Sequence, residues 1–145
     1  MKRIVLYLSL CFVFSSVSVF ALDAVEAPKS CKLCGMDRTY FAHSRMLTTY
    51  ADGGTLGSCS LHCAATDLKK NPGRKVKSLQ VADLNTKKLI DARKATWVIG
   101  GKKSGVMTNV PKWAFAKKSD AEKFTKEQGG TVASFDEALA LAEKE

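Results

Sequence analysis

The chain has 145 residues, 46% of them hydrophobic, and 23 basic residues against 14 acidic ones, a formal charge of +9. That length holds one ordinary domain or two very small ones. The charge raises nucleic acid as a partner, a reading that the N-terminal sequence removes.

Lys2 and Arg3 precede an apolar run from Ile4 to Phe14, and Val19-Phe20-Ala21 has small-x-small spacing. Residues 1–21 are therefore expected to be a secretory signal peptide cleaved after Ala21, with an uncleaved membrane anchor as the alternative. Cys11 follows Leu10 inside the apolar run, and Cys31 follows Lys29-Ser30 too far downstream, so neither is expected to carry lipid. About 124 residues remain, and loss of Lys2 and Arg3 leaves a charge of +7. A periplasmic or otherwise exported chain is not expected to meet nucleic acid. Its basic surface suits solvent, an acidic partner or a membrane surface.

Residues 22–30 read as a polar linker containing Pro28. Cys31-Lys32-Leu33-Cys34-Gly35-Met36 forms a compact knuckle of soft ligands. Thr39 to Tyr50 alternates as a strand, with Tyr40, Ala42, Met46 and Tyr50 on one face. Asp52-Gly53-Gly54 signals a hairpin, and a return strand over residues 55–58 delivers Cys59. Ser60 is a candidate N-cap for a helix whose apolar face is Leu61, Ala64, Ala65 and Leu68. Cys63 lies off that stripe, in the first turn. Asn71-Pro72-Gly73 ends the helix, and residues 76–83 read as a strand with Leu79 and Val81 on one side.

Asn85-Thr86 turns the chain into the short apolar segments Leu89-Ile90 and 96–99. Gly100 to Gly105 is a basic glycine-rich loop that ends at Val106-Met107. Residues 113–116 form a short strand. Ser119 with Glu122 spells a capping box for a helix using Ala121 and Phe124, stopped by Gly129-Gly130. A strand over residues 131–134 follows. Ser134 with Glu137 then opens a final helix using Ala138, Leu139, Leu141 and Ala142. The expected fold is α+β: two small β-β-α-β units, residues 31–84 and 85–145, and a C-terminal helix. The first unit carries a zinc-knuckle or treble-clef-like cysteine site.

Thiolates and thioethers select Cu(I), zinc or iron–sulfur clusters over hard cations. The pattern C-x2-C-x24-C-x3-C predicts that Cys31, Cys34, Cys59 and Cys63 converge on one site. Cys59 and Cys63 bracket a helix start, where the macrodipole favours thiolate. Two disulfide staples or a thiol–disulfide redox pair are the metal-free alternatives in an oxidising compartment. Zinc suits four thiolates in a structural role, whereas a thioether suits Cu(I). Met36 and Met107 are the candidate thioethers, and His62 a candidate replacement ligand. His43 reads as structural. Paired carboxylates, a Ser/His/Asp arrangement and a phosphate loop are all missing from the sequence, so an enzyme is not expected.

In its order and spacing the chain resembles the NosL family, accessory proteins of nitrous oxide reductase maturation. The resemblance runs from Cys31-x2-Cys34-Gly35-Met36 through Val81-Ala82-Asp83, Ile90-Asp91-Ala92, Ala95 and Trp97-Val98. It continues with Met107, Ala114-Phe115, Ala121, Phe124, Gly129-Gly130 and residues 132–137. It implies two β-β-α-β units related to the organomercurial lyase fold. It also implies one Cu(I), bound for delivery to a copper enzyme through a membrane transport complex. The thiolate ligand then falls on Cys34, with Met36 as a helper and Met107 as the thioether. The chain departs from that family in lacking a lipidation signal and in adding Cys59 and Cys63, a pair that resembles the clusters of TRASH-type domains.

The reading that joins these observations is an exported Cu(I) carrier. Its ligands are Cys31, Cys34, Cys59, Cys63, Met107 and Met36, and its partner is a copper-receiving enzyme or transport complex. The alternatives are a zinc- or disulfide-stapled binding module and a thiol-dependent enzyme.

Overall fold

The computed structural model describes residues 25, 26 and 28–145. The expected signal peptide, with Cys11, and part of the expected linker lie outside the described residues. Among the described residues, no helix is long and apolar enough to cross a membrane.

The first unit is β-β-α-β. Strand β1 (Met46–Tyr50) turns through Asp52-Gly53-Gly54 into β2 (Thr55–Ser58), with Met46 opposite Ser58. The Asp52 carboxylate accepts from the Gly54 N–H at 2.8 Å, which fixes the turn locally. Helix α1 (Leu61–Lys70) follows two residues after β2 and buries Leu61, Ala64 and Ala65 as its periodicity requires. The Tyr50 hydroxyl donates to the Asp67 carboxylate and ties α1 to β1. Burial, and then that bond, push the Tyr50 phenol up to about 12. Strand β3 (Val76–Ala82) pairs antiparallel with β1 and buries Leu79 and Val81.

Three local expectations need correction. The strand expected from residue 39 starts only at Met46. The Asp37 carboxylate accepts from the N–H groups of Thr39 and Tyr40 at 2.7 and 3.2 Å and winds the chain into turns. Tyr40 is consequently 79% exposed and shares no face with Met46. The short β4 (Leu89–Asp91), expected to open the second unit, pairs with β3 and completes a sheet ordered β2-β1-β3-β4. Ser119 caps nothing: it lies inside α2 (Lys118–Gln128), whose N-cap is Lys117, and Glu122 pairs with Lys118 at 3.7 Å instead.

The second unit repeats the order with β5 (Thr96–Ile99), β6 (Lys112–Phe115), α2 and β7 (Thr131–Ala133) in a sheet ordered β6-β5-β7. Helix α3 (Phe135–Ala142) starts with the expected capping box: Ser134 N–H donates to Glu137 at 2.7 Å, and Glu137 N–H donates back at 3.3 Å.

Both units contribute to each of two apolar clusters. One packs Met46, Leu61, Ala64, Leu79 and Val81 against Trp97, Phe135 and Ala138. The other packs Cys31, Cys59 and Cys63 against Val98, Val106, Trp113, Phe115 and Ala121. The buried Asp83 carboxylate stitches the seam. It accepts from Thr86 N–H and hydroxyl at 2.7 and 2.8 Å, and from Ala116 N–H at 2.8 Å. Burial alone would push this carboxyl up, but these donors hold it below its ordinary value.

Candidate metal centre

The knuckle is a tight loop closed on itself. Cys31 N–H donates to the Met36 carbonyl and Gly35 N–H to the Cys31 carbonyl, both at 2.8 Å. Gly35 has φ +77°, a left-handed turn that a Cβ would strain, and it carries the chain round so that Cys31 and Cys34 face one point. Ser30 and Asp37 bridge across the base of the loop. The second cysteine pair comes from the other direction. Cys59 immediately follows β2, and Cys63 sits one turn on, inside α1.

The four cysteine sulfurs lie within 4.8 Å of one another. Cys34 Sγ is 3.4 Å from Cys59 Sγ, which is 3.7 Å from Cys63 Sγ. These are separate free thiols, well beyond a bond of about 2.05 Å. Four sulfurs held tetrahedrally at about 2.3 Å from one ion stand about 3.8 Å apart, so the spacing and the donor chemistry fit a single soft metal. Cys31, Cys59 and Cys63 are buried, whereas Cys34 is half-buried.

Proximity divides the protons unequally. The Cys59 thiol is drawn down to about 6, first by its hydrogen bond with Cys63 and then by those with Cys34, Ser60 and Cys31, which together overcome burial. Cys34 is pushed up to about 11, mainly by burial. Cys63 is pushed up by its bond to Cys59 and by burial. Of these three thiols, Cys59 gives up its proton more readily than Cys34 or Cys63. A metal ion is what would allow further thiolates to form side by side.

The NosL family model matches residues 22–140. The chain belongs to the NosL family. A solved structure, that of the copper chaperone NosL from Shewanella denitrificans, is similar with 26% sequence identity and a TM-score of 0.63, over 79% of this chain and 92% of that one. No curated protein matches the chain.

The remaining candidate ligands of this NosL-family chain are placed less uniformly. Met36 is half-buried and packs against the cysteine cluster. Met107 is 44% exposed, with φ +55°, beside the buried Val106 of that same cluster. Its loop is tethered next to α1: the Thr108 hydroxyl donates to Glu145 at 2.6 Å, and Glu145 lies 3.9 Å from His62 Nδ1. His62 itself is not part of the sulfur group. His43 stacks on Trp113 with 5.6 Å between centroids, and burial, then Lys103 and Lys87, hold its imidazole below the ordinary value.

Sequence reasoning missed Arg38. Its fully buried guanidinium donates to the carbonyls of Pro28, Met46 and Ser58 at 2.6, 2.9 and 3.2 Å, and lies 3.7 Å from Glu26. Burial draws it below its ordinary value, opposed first by Glu26 and also by the charge that Cys31 and Cys59 can carry. Gly57 leaves it room, since a Cβ there would sit 2.4 Å from Nη1. That glycine in a short strand was the available signal.

Proposed function

We propose that this protein is an exported copper carrier that holds Cu(I) on cysteine thiolates and hands it to a copper-receiving protein, such as nitrous oxide reductase or its transport complex. The observation that supports this best is the group of four sulfurs within 4.8 Å, in a chain of the NosL family that resembles a copper chaperone. Soft donors without a hard oxygen partner favour Cu(I) over Mg²⁺ or Ca²⁺. Cys31, Cys34, Cys59 and Cys63 are the proposed thiolate set. Met36 and Met107 are the thioethers that exchange into it, Met36 from the knuckle and Met107 from the tethered loop.

Anaerobic titration of the reduced protein with Cu(I), against a competing chromophoric chelator, tests this. The expected result is stoichiometric uptake that weakens at least tenfold in Cys34→Ala. Uptake no greater than that of a variant lacking all four cysteines would overturn the proposal.

A zinc-holding binding module is favoured by one observation, the gathering of four thiol sulfurs within 4.8 Å of one another, which suits a closed tetrathiolate site. Metal content after anaerobic purification separates the two: copper supports the carrier and zinc alone the module.

A further inference from the structure

Three of the four thiols are sealed in the molecule. Cys59 is 0% exposed, Cys31 2% and Cys63 3%, packed among Val98, Trp113 and Phe115. Cys34 alone of the described cysteines is half-buried. It sits at the tip of the knuckle, between the exposed Gly35 on one side and the half-buried Leu33 on the other. Its sulfur is in contact range of Cys59, so it is both part of the cluster and its outer edge. Transfer of Cu(I) between proteins proceeds by ligand exchange, and an incoming sulfur needs a line of approach to the ion. The three walled-in thiols offer none without local opening. The knuckle edge does, and Cys34 is held there by one short loop rather than by a strand or helix.

We infer that Cys34 is the exchange thiol of this site, the ligand that an acceptor's thiol or thioether displaces first, while Cys31, Cys59 and Cys63 retain the ion until transfer completes. This rests on the copper-carrier reading above. In the step a bond forms from the acceptor sulfur to copper as the bond from copper to Cys34 Sγ breaks, with copper remaining Cu(I). An acceptor thiol gives its proton to the departing Cys34 thiolate. A thioether acceptor has none to give, and Cys34 then takes its proton from water. An acceptor for this edge is a protein presenting an exposed cysteine or methionine.

The test uses the unaltered protein, reduced and free of oxygen, with N-ethylmaleimide as the probe and mass mapping of each cysteine. In the metal-free protein Cys34 is expected to be alkylated at least tenfold faster than Cys31, Cys59 and Cys63. Equal rates, or any other of the three reacting first, would overturn the proposal. In protein loaded with one Cu(I), loss of copper to bathocuproine disulfonate is expected to follow the same time course as alkylation of Cys34, with the other three modified later. Copper leaving well before Cys34 reacts, or staying fully bound after it has reacted, would overturn the exchange role. Failure to load is seen before any maleimide is added. It overturns the carrier reading and the exchange role together, whereas even reactivity in a chain that does load overturns the exchange role alone.

Discussion

Asp83 shows how one side chain acquires its importance from segments far away in sequence. Its carboxylate is held low by N–H groups from the β3–β4 turn and from the end of β6, joining the two sheets. A carboxyl lowered on folding contributes stability that is complete above its unfolded pKa, near 3.8. That stability drains away as pH falls through the lower folded value. Asp83→Asn should therefore cost about 1–3 kcal/mol at pH 7 in urea unfolding. Between pH 5 and pH 2 its stability should fall less than that of the parent. The four cysteines were legible in the sequence because their spacing is itself the signal. Asp83 and Arg38 were not, because their partners are main-chain groups brought close only by folding: Ala116 for one, and Pro28, Met46 and Ser58 for the other.

At the level of elements, the two capping-box patterns separate propensity from context. Ser134 and Glu137 satisfy each other at the start of α3, so Ser134→Ala should lower stability by about 1 kcal/mol. Ser119 has the same spacing to Glu122 but lies exposed inside α2, so Ser119→Ala should change stability by less than about 0.5 kcal/mol. Paired thermal melts of the two variants check both. The turn, the apolar face of α1 and the β-β-α-β order of each unit were readable, because hydrophobic period and glycine pairs encode them directly. The late start of β1 was hidden, because Asp37 captures two N–H groups that alternation alone assigns to a strand. The partner of β4 was hidden too, since three residues carry too little pattern to say which sheet they join.

For the whole molecule, the repeated order suggests two separable units, but the clusters do not respect that division. Trp97 and Phe135 share a cluster with Met46 and Leu61, and the cysteines lie against Val98, Trp113 and Phe115. The second unit thus forms one wall of the sulfur site although it supplies none of the thiols, a dependence that cysteine spacing cannot reveal.

The span between Cys34 and Cys59, 25 positions apart, carries one last consequence. An ion gripping both sulfurs turns the turns, β1 and β2 into a cross-linked ring. For a permanent bond such a ring is worth about 3–4 kcal/mol through the entropy it removes from the unfolded chain. Cargo is then also a fastener, and delivery unfastens it. Limited proteolysis should cut the emptied protein within residues 35–58 several-fold faster than the laden one. An acceptor or a protease could thus tell a spent carrier from a full one by its slackness, with no contact to the copper itself.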